Sequence, residues 1–168
     1  VFEFAERENI MVHMHVAQGD RERQQMQKRY DQSTVSFLQE NGFLSDQLLA
    51  AHCHGATPEE LKTLAGSGTK MVSCQSSIAM IDGIVPPLAE YIHLGGEVAL
   101  GSDQAAGNNN QSILAELKIA ALLNKVRGAD PTSLKAWQVL RLATIDGARA
   151  LGIDDMVGSL EEGKKADL

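Results

Sequence analysis

Side chains able to do chemistry recur along this chain at the ends of apolar runs. His13, His15 and Gln18 lie in MVHMHVAQGD, His52 and His54 in AAHCHG, Ser73 and Gln75 in VSCQ, and Ser102 and Asp103 in GSDQ. Imidazole nitrogen and carboxylate oxygen together suit Zn²⁺, with Fe²⁺ and Mn²⁺ as alternatives. Any one of these residues has a plainer reading. A strand histidine is often a packing residue, and His13 is expected to fill the interior. An aspartate after a strand is often a turn cap. The recurrence of His15, His52 and Asp103 at the ends of the first, second and fourth apolar runs is what points to a metal site. His54 lies past its strand and His93 lies within a helical stretch, so neither is expected to be a ligand.

These residues need elements to place them. Alternation of apolar and polar residues predicts a strand at 10–17, and further apolar runs predict strands at 47–53, 70–75 and 97–103. Helical patterns fall at about 20–29, 34–41, 57–66, 86–96, 111–127 and 132–151. Thr57, Pro58 and Glu60 read as a capping box with proline at the first helical position. Thr132, just after Pro131, reads as the cap of the final helix. The order is β-α repeated four times, with strands apolar on both faces, which is the pattern of a parallel sheet covered by helices. In such folds the ligand site lies at the C-terminal strand ends, where the candidate residues fall. No glycine-rich phosphate fingerprint follows any strand.

Composition narrows the classes. The chain has 168 residues, 43% hydrophobic and 22% charged, enough for one globular domain with a real core. A net charge of -7 without a basic stripe argues against nucleic acid as a partner. No apolar run reaches the roughly 20 residues of a membrane helix. Cys53 and Cys74 are too few for a disulfide framework and read as buried small apolar residues in a reducing, cytoplasmic protein. The stretch AAGNNN is a turn whose asparagines can satisfy loop backbone or touch a substrate.

HVAQ, AAHC followed by TPEEL, GSDQAAGNNN and the tail TIDGARALGIDDMVGSLEEGKKADL together resemble the amidohydrolase superfamily. The similarity is to the branch of cytosine/guanine deaminases, S-adenosylhomocysteine deaminases and triazine chlorohydrolases, and it runs in order along nearly the whole chain. It implies an α/β fold, the C-terminal half of a distorted (β/α)8 TIM barrel carrying strands 5–8. Residues 1–155 would be the second half of the barrel, and 156–168 the start of the return to a small β-sandwich. His15 then matches the metal-binding histidine of the fifth strand. His52 matches the sixth-strand histidine, which binds substrate or the hydrolytic water, or a second metal. Asp103 matches the eighth-strand aspartate, which touches the metal and takes a proton from the attacking water. The implied reaction is hydrolysis of a ring C–N bond in a nucleobase-like or triazine-like small molecule, with ammonia or chloride leaving. The implied cofactor is a divalent metal, zinc first and iron or manganese as alternatives, in a protein that is a homo-oligomer at full length.

Two departures from the family pattern bear on mechanism. Three residues past His15 the deaminases carry a glutamate that shuttles a proton, and here stands Gln18, which hydrogen-bonds but does not titrate. In the seventh strand Ser73 stands in the histidine position and Ile78 in the asparagine position. Ser73 and Gln18 are therefore the candidate substrate contacts. Asp20 and Glu22 are better placed as favourable charges in a first helical turn. The alternatives are a cyclic amide hydrolase or dechlorinase on the same scaffold, or a non-catalytic relative that lost its shuttle. A first-strand His-x-His pair is absent from this chain and is expected upstream, so the chain alone is expected to be inactive.

Overall fold

A computed structural model describes residues 1–166. The elements run α1 (Phe2–Glu8), β1 (Val12–Val16), α2 (Asp20–Tyr30), α3 (Thr34–Glu40), β2 (Leu48–His52), α4 (Pro58–Gly66) and β3 (Lys70–Ser73), then α5 (Gln75–Ile81), α6 (Leu88–His93), β4 (Val98–Leu100), α7 (Ala105–Asn108), α8 (Ile113–Arg127), α9 (Ala136–Leu142) and α10 (Ile145–Leu151). This is an α/β fold with parallel strands, as the sequence predicts. The chain forms two compact units. One is Val1–Val72 with Glu90–Glu97, and the other is Ser73–Ala89 with the chain from Val98 onward.

In the first unit β1, β2 and β3 pair in parallel and in chain order. Val16 lies opposite His52, and Ala51 opposite Val72. All five residues of β2 are buried. The capping box at the start of α4 is present in both directions. Glu60 N donates to Thr57 Oγ1 at 3.2 Å, and Thr57 N donates to Glu60 Oε2 at 2.7 Å. The fully buried Tyr91 of α6 donates its hydroxyl to Thr69 O at 2.6 Å. A Cβ on Gly96 would lie 2.3 Å from the Tyr91 ring, so only glycine lets the ring occupy that place.

In the second unit Gly101 N, just past β4, donates to Ser73 O at 3.0 Å. Ser112 caps the long helix α8, accepting from Ala115 N at 3.3 Å. Val98 to Leu100, Ala120, Val139, Leu142, Ala148 and Ala150 form its buried apolar face.

The structure corrects two expectations. The third strand stops at Ser73, and a helix, α5, begins at Gln75 where the sequence reads as extended. Its first-turn donor Ser76 N is accepted at 3.1 Å by Glu116 Oε2 from α8, a cap supplied 40 residues away. The helix expected over 132–151 is two helices starting at Ala136. Thr132 caps nothing, because both its N–H and its hydroxyl donate to Asp130 Oδ1, at 2.8 and 2.7 Å. The break between α9 and α10 falls at Thr144, whose hydroxyl turns back to Leu140 O at 2.8 Å. His13 shares the exposed face of His15, because side chains alternate along β1. The tail expected to begin a β-sandwich includes Asp167 and Leu168, outside the described residues. Residues 156–166 hold turns and bends.

Candidate active site

In the first unit His15 ends the exposed face of β1, and His52 is the last residue of β2. Their parallel registers bring the imidazoles face to face, with ring centroids 5.2 Å apart and planes 13° apart. His15 is exposed and His52 is buried, 2% accessible, so the pair joins a solvent-facing imidazole to a desolvated one. His54 meets His52 edge-on at 6.2 Å.

The loops after these strands are held in uncommon backbone conformations. Ala17, His52 and Cys53 have φ of 49°, 74° and 52°. Left-handed backbone costs a non-glycine residue about 1–2 kcal/mol and persists where its surroundings impose it. The surroundings here are specific. Gly55 N donates to Ala17 O at 2.7 Å and Cys53 N to Val16 O at 3.1 Å, so the two loops run against each other. A Cβ on Gly55 would sit 2.8 Å from Ala17 O. Glu22, from the first turn of α2, accepts Ala17 N and Gln18 N, each at 2.8 Å, and also takes the Thr34 hydroxyl. Glu22 thus caps the loop that carries Gln18 and has both oxygens engaged, as its place in a first helical turn predicts. Gln18 itself is half-buried.

In the second unit Asp103 follows β4, half-buried, with φ of 60°. Its Oδ2 accepts from the Ser77 hydroxyl at 2.5 Å and its Oδ1 from Gln104 N at 2.7 Å. Ser73 is fully buried, and its hydroxyl accepts from Gln75 Nε2 at 2.8 Å; Gln75 Oε1 accepts in turn from Asn124 Nδ2 at 3.2 Å. Ser73 is therefore tied into a buried amide ladder. Asn108, one of the three consecutive asparagines, donates to Ser102 O at 2.7 Å and to Glu116 Oε1 at 2.9 Å.

Of the residues expected from sequence, His15, His52 and Gln18 fall in the first unit, and Ser73 and Asp103 in the second. Sequence reasoning missed Ser77, Glu116 and Asn124. The one local sign of the last two was polar side chains eight residues apart, with Ala120 midway between them, on the buried side of α8. Among the described residues no three His, Cys, Asp or Glu side chains form a group able to hold a metal ion. The donors present nevertheless fit a divalent metal in kind. Two imidazoles face each other at neighbouring strand ends, and a carboxylate has both oxygens oriented by hydrogen bonds, as ligating carboxylates do.

Cys53 and Cys74 are free and buried. Burial, aided by the charge of Glu22, pushes the Cys53 thiol up to about 12. Burial, with Asp103 and Glu116 adding to it, pushes Cys74 up to about 12. Neither thiol is an ionised nucleophile near neutral pH. A cavity of about 390 Å³ in the first unit is lined by Phe2, Val12, Phe43 and Gln47, beside the start of β1 rather than beside His15.

Parallel strands, with helices between them and polar side chains at their C-terminal ends, define an α/β protein. The chain belongs to the amidohydrolase family, whose family model matches residues 1–168. It is 40% identical over 159 residues to the 5-methylthioadenosine/S-adenosylhomocysteine deaminase of Moorella thermoacetica, covering 95% of this chain and 37% of that protein. It is 38% identical over 164 residues to the 5'-deoxyadenosine deaminase of Methanothermobacter thermautotrophicus, covering 98% of this chain and 38% of that one. The chain thus spans under two-fifths of the length of these curated relatives. Among solved structures it superposes with a TM-score of 0.93 and 33% identity on a zinc-bound adenosine deaminase from Xanthomonas campestris, over 98% of this chain and 38% of that one. With a zinc-bound atrazine chlorohydrolase from Arthrobacter aurescens the values are 0.88 and 28%, over 98% and 36%. Among the described residues no helix is long and apolar enough to cross a membrane.

Proposed function

We propose that this chain supplies the last four βα units of a (β/α)8 barrel in a metal-dependent hydrolase that deaminates a small adenosine-like heterocycle. The facing pair His15 and His52 at adjacent strand ends carries the reading, in a chain of the amidohydrolase family. His15 and Asp103 would hold the metal, zinc first, together with donors from outside this chain. A bound divalent ion lowers the pKa of its water to near neutrality. Asp103 accepts the proton of the attacking water. His52, desolvated and stacked on His15, holds that water or the developing oxyanion. Gln18, whose loop is fixed by Glu22, hydrogen-bonds the ring. It does not deliver a proton to the ring, so proton delivery falls to Asp103. Ser73, fully buried and locked to Gln75, has no titrating role. The relatives named for 5'-modified adenosines favour that substrate class. The protein would act as a cytoplasmic homo-oligomer.

The test is metal content of the intact protein and ammonia release from 5'-methylthioadenosine, S-adenosylhomocysteine and 5'-deoxyadenosine, with a pterin and atrazine alongside. Bound zinc with ammonia from the adenosines is the expected result. A protein that binds no metal would sink the reading. Gln18 and the likeness to a chlorohydrolase favour one second reading: bound metal with chloride released from atrazine, and no ammonia from any substrate, would establish it. If proton delivery limits the deaminase, Gln18→Glu raises kcat tenfold or more on the adenosine substrates, since a placed general acid contributes about 10²–10⁴.

A further inference from the structure

We propose that Ser77 is a positioning residue for Asp103, a role that rests on the hydrolytic reading above. Ser77 is fully buried on α5, and a buried hydroxyl needs a partner. Its one proton goes to Asp103 Oδ2 at 2.5 Å. Gln104 N holds the other oxygen at 2.7 Å. A hydrogen bond on each carboxylate oxygen fixes the rotamer of the side chain.

The structure around Ser77 leaves the hydroxyl little choice of direction. A Cβ on Gly107 would lie 3.0 Å from Ser77 Oγ and 3.1 Å from Ile81 Cδ1, so the α7 backbone is packed directly against it. Glu116 anchors both sides of this contact. Its Oε2 takes Ser76 N at the start of α5, and its Oε1 takes Asn108 Nδ2 at the end of α7. The same Asn108 amide donates to Ser102 O, the residue before Asp103. Helices α5, α7 and α8 thus converge on a loop whose aspartate sits at φ 60°, a conformation that needs support. Alanine would fill the site of Ser77 as well; what the hydroxyl adds is the bond to Asp103.

The test uses the intact protein, 5'-deoxyadenosine as substrate, and zinc loss to a chelator as a readout independent of turnover. Ser77→Ala is expected to lower kcat tenfold or more with KM within threefold, and to speed zinc loss several-fold. Ser77→Thr, which keeps the hydroxyl, holds both within threefold of wild type. Gly107→Ala, which presses on the Ser77 oxygen without removing it, lowers kcat several-fold and keeps the fold readable if the threonine variant does not fold. Wild-type kcat and wild-type zinc retention in Ser77→Ala overturn the proposal while leaving the hydrolytic reading intact. So does a Ser77→Thr protein that folds yet is as impaired as Ser77→Ala. A wild-type protein that binds no zinc and releases no ammonia overturns the hydrolytic reading and this role with it.

Discussion

The two units hold their candidate site residues by different means. In the first, His15 and His52 are placed by strand register, and their loops by backbone contacts between segments that pair anyway: Gly55 against Ala17, Cys53 against Val16. Two side chains of α2 add local ties: Glu22 accepts from Ala17 N and Gln18 N, and Arg23 donates to Gly55 O. In the second, Asp103 is placed by side chains drawn from three helices, with buried Glu116 at their junction. Register is a property of neighbouring strands and survives many substitutions. A buried polar network depends on every member finding its partner, because each group left unpaired costs its full desolvation penalty. The histidine half should therefore be robust, and the aspartate half brittle.

That contrast can be broken in four places. The largest effect is expected at the reacting carboxylate. Asp103→Asn should lower kcat by about 10²–10⁴ while the protein stays folded, as steady-state kinetics and circular dichroism would show. Next is Glu116→Leu, which strips the acceptor from Ser76 N and one partner from the Asn108 amide; denaturant unfolding should reveal a loss of about 3 kcal/mol. Glu22→Ala removes an acceptor of three donors from a half-open loop, where water replaces it, and should cost about 1 kcal/mol. If Glu22→Ala proved as damaging as Glu116→Leu, the contrast between the units would fail. The smallest effect concerns the thiols. Cys53 and Cys74 are raised from an ordinary 9.0 to about 12 by burial. Their contribution to stability is present below pH about 9, where both folded and unfolded thiols are protonated. It is lost as pH rises toward 12, because the unfolded thiols ionise first. Melting temperature should decline above pH 9, and an aromatic disulfide reagent should label neither cysteine in the native protein at pH 8.

The residues that carry the family resemblance lie where their strands end, and so were legible. So were the capping box at Thr57 and Glu60 and the burial of both cysteines, because each rests on neighbours a few positions away. Other features were not. Helix α5 is hidden in SCQSSI because its cap arrives from Glu116. Thr132 looked like a cap until Asp130 took both its donors. Ser77 gave no signal at all, since its partner lies 26 positions away.

By itself the sequence determined the alternation of strands and helices, the parallel pairing and the histidines and aspartate at the strand ends. Hydrophobic periodicity and turn chemistry act over a few residues, and they encode these directly. Tertiary structure alone decided that Ser73 is sealed in an amide ladder and that Glu116 ties α5 to α7. It alone gave Asp103 a buried serine to hold it. The reason is physical. A buried polar side chain takes whichever partner the packed fold brings within hydrogen-bond reach, and that partner is fixed only when distant segments meet.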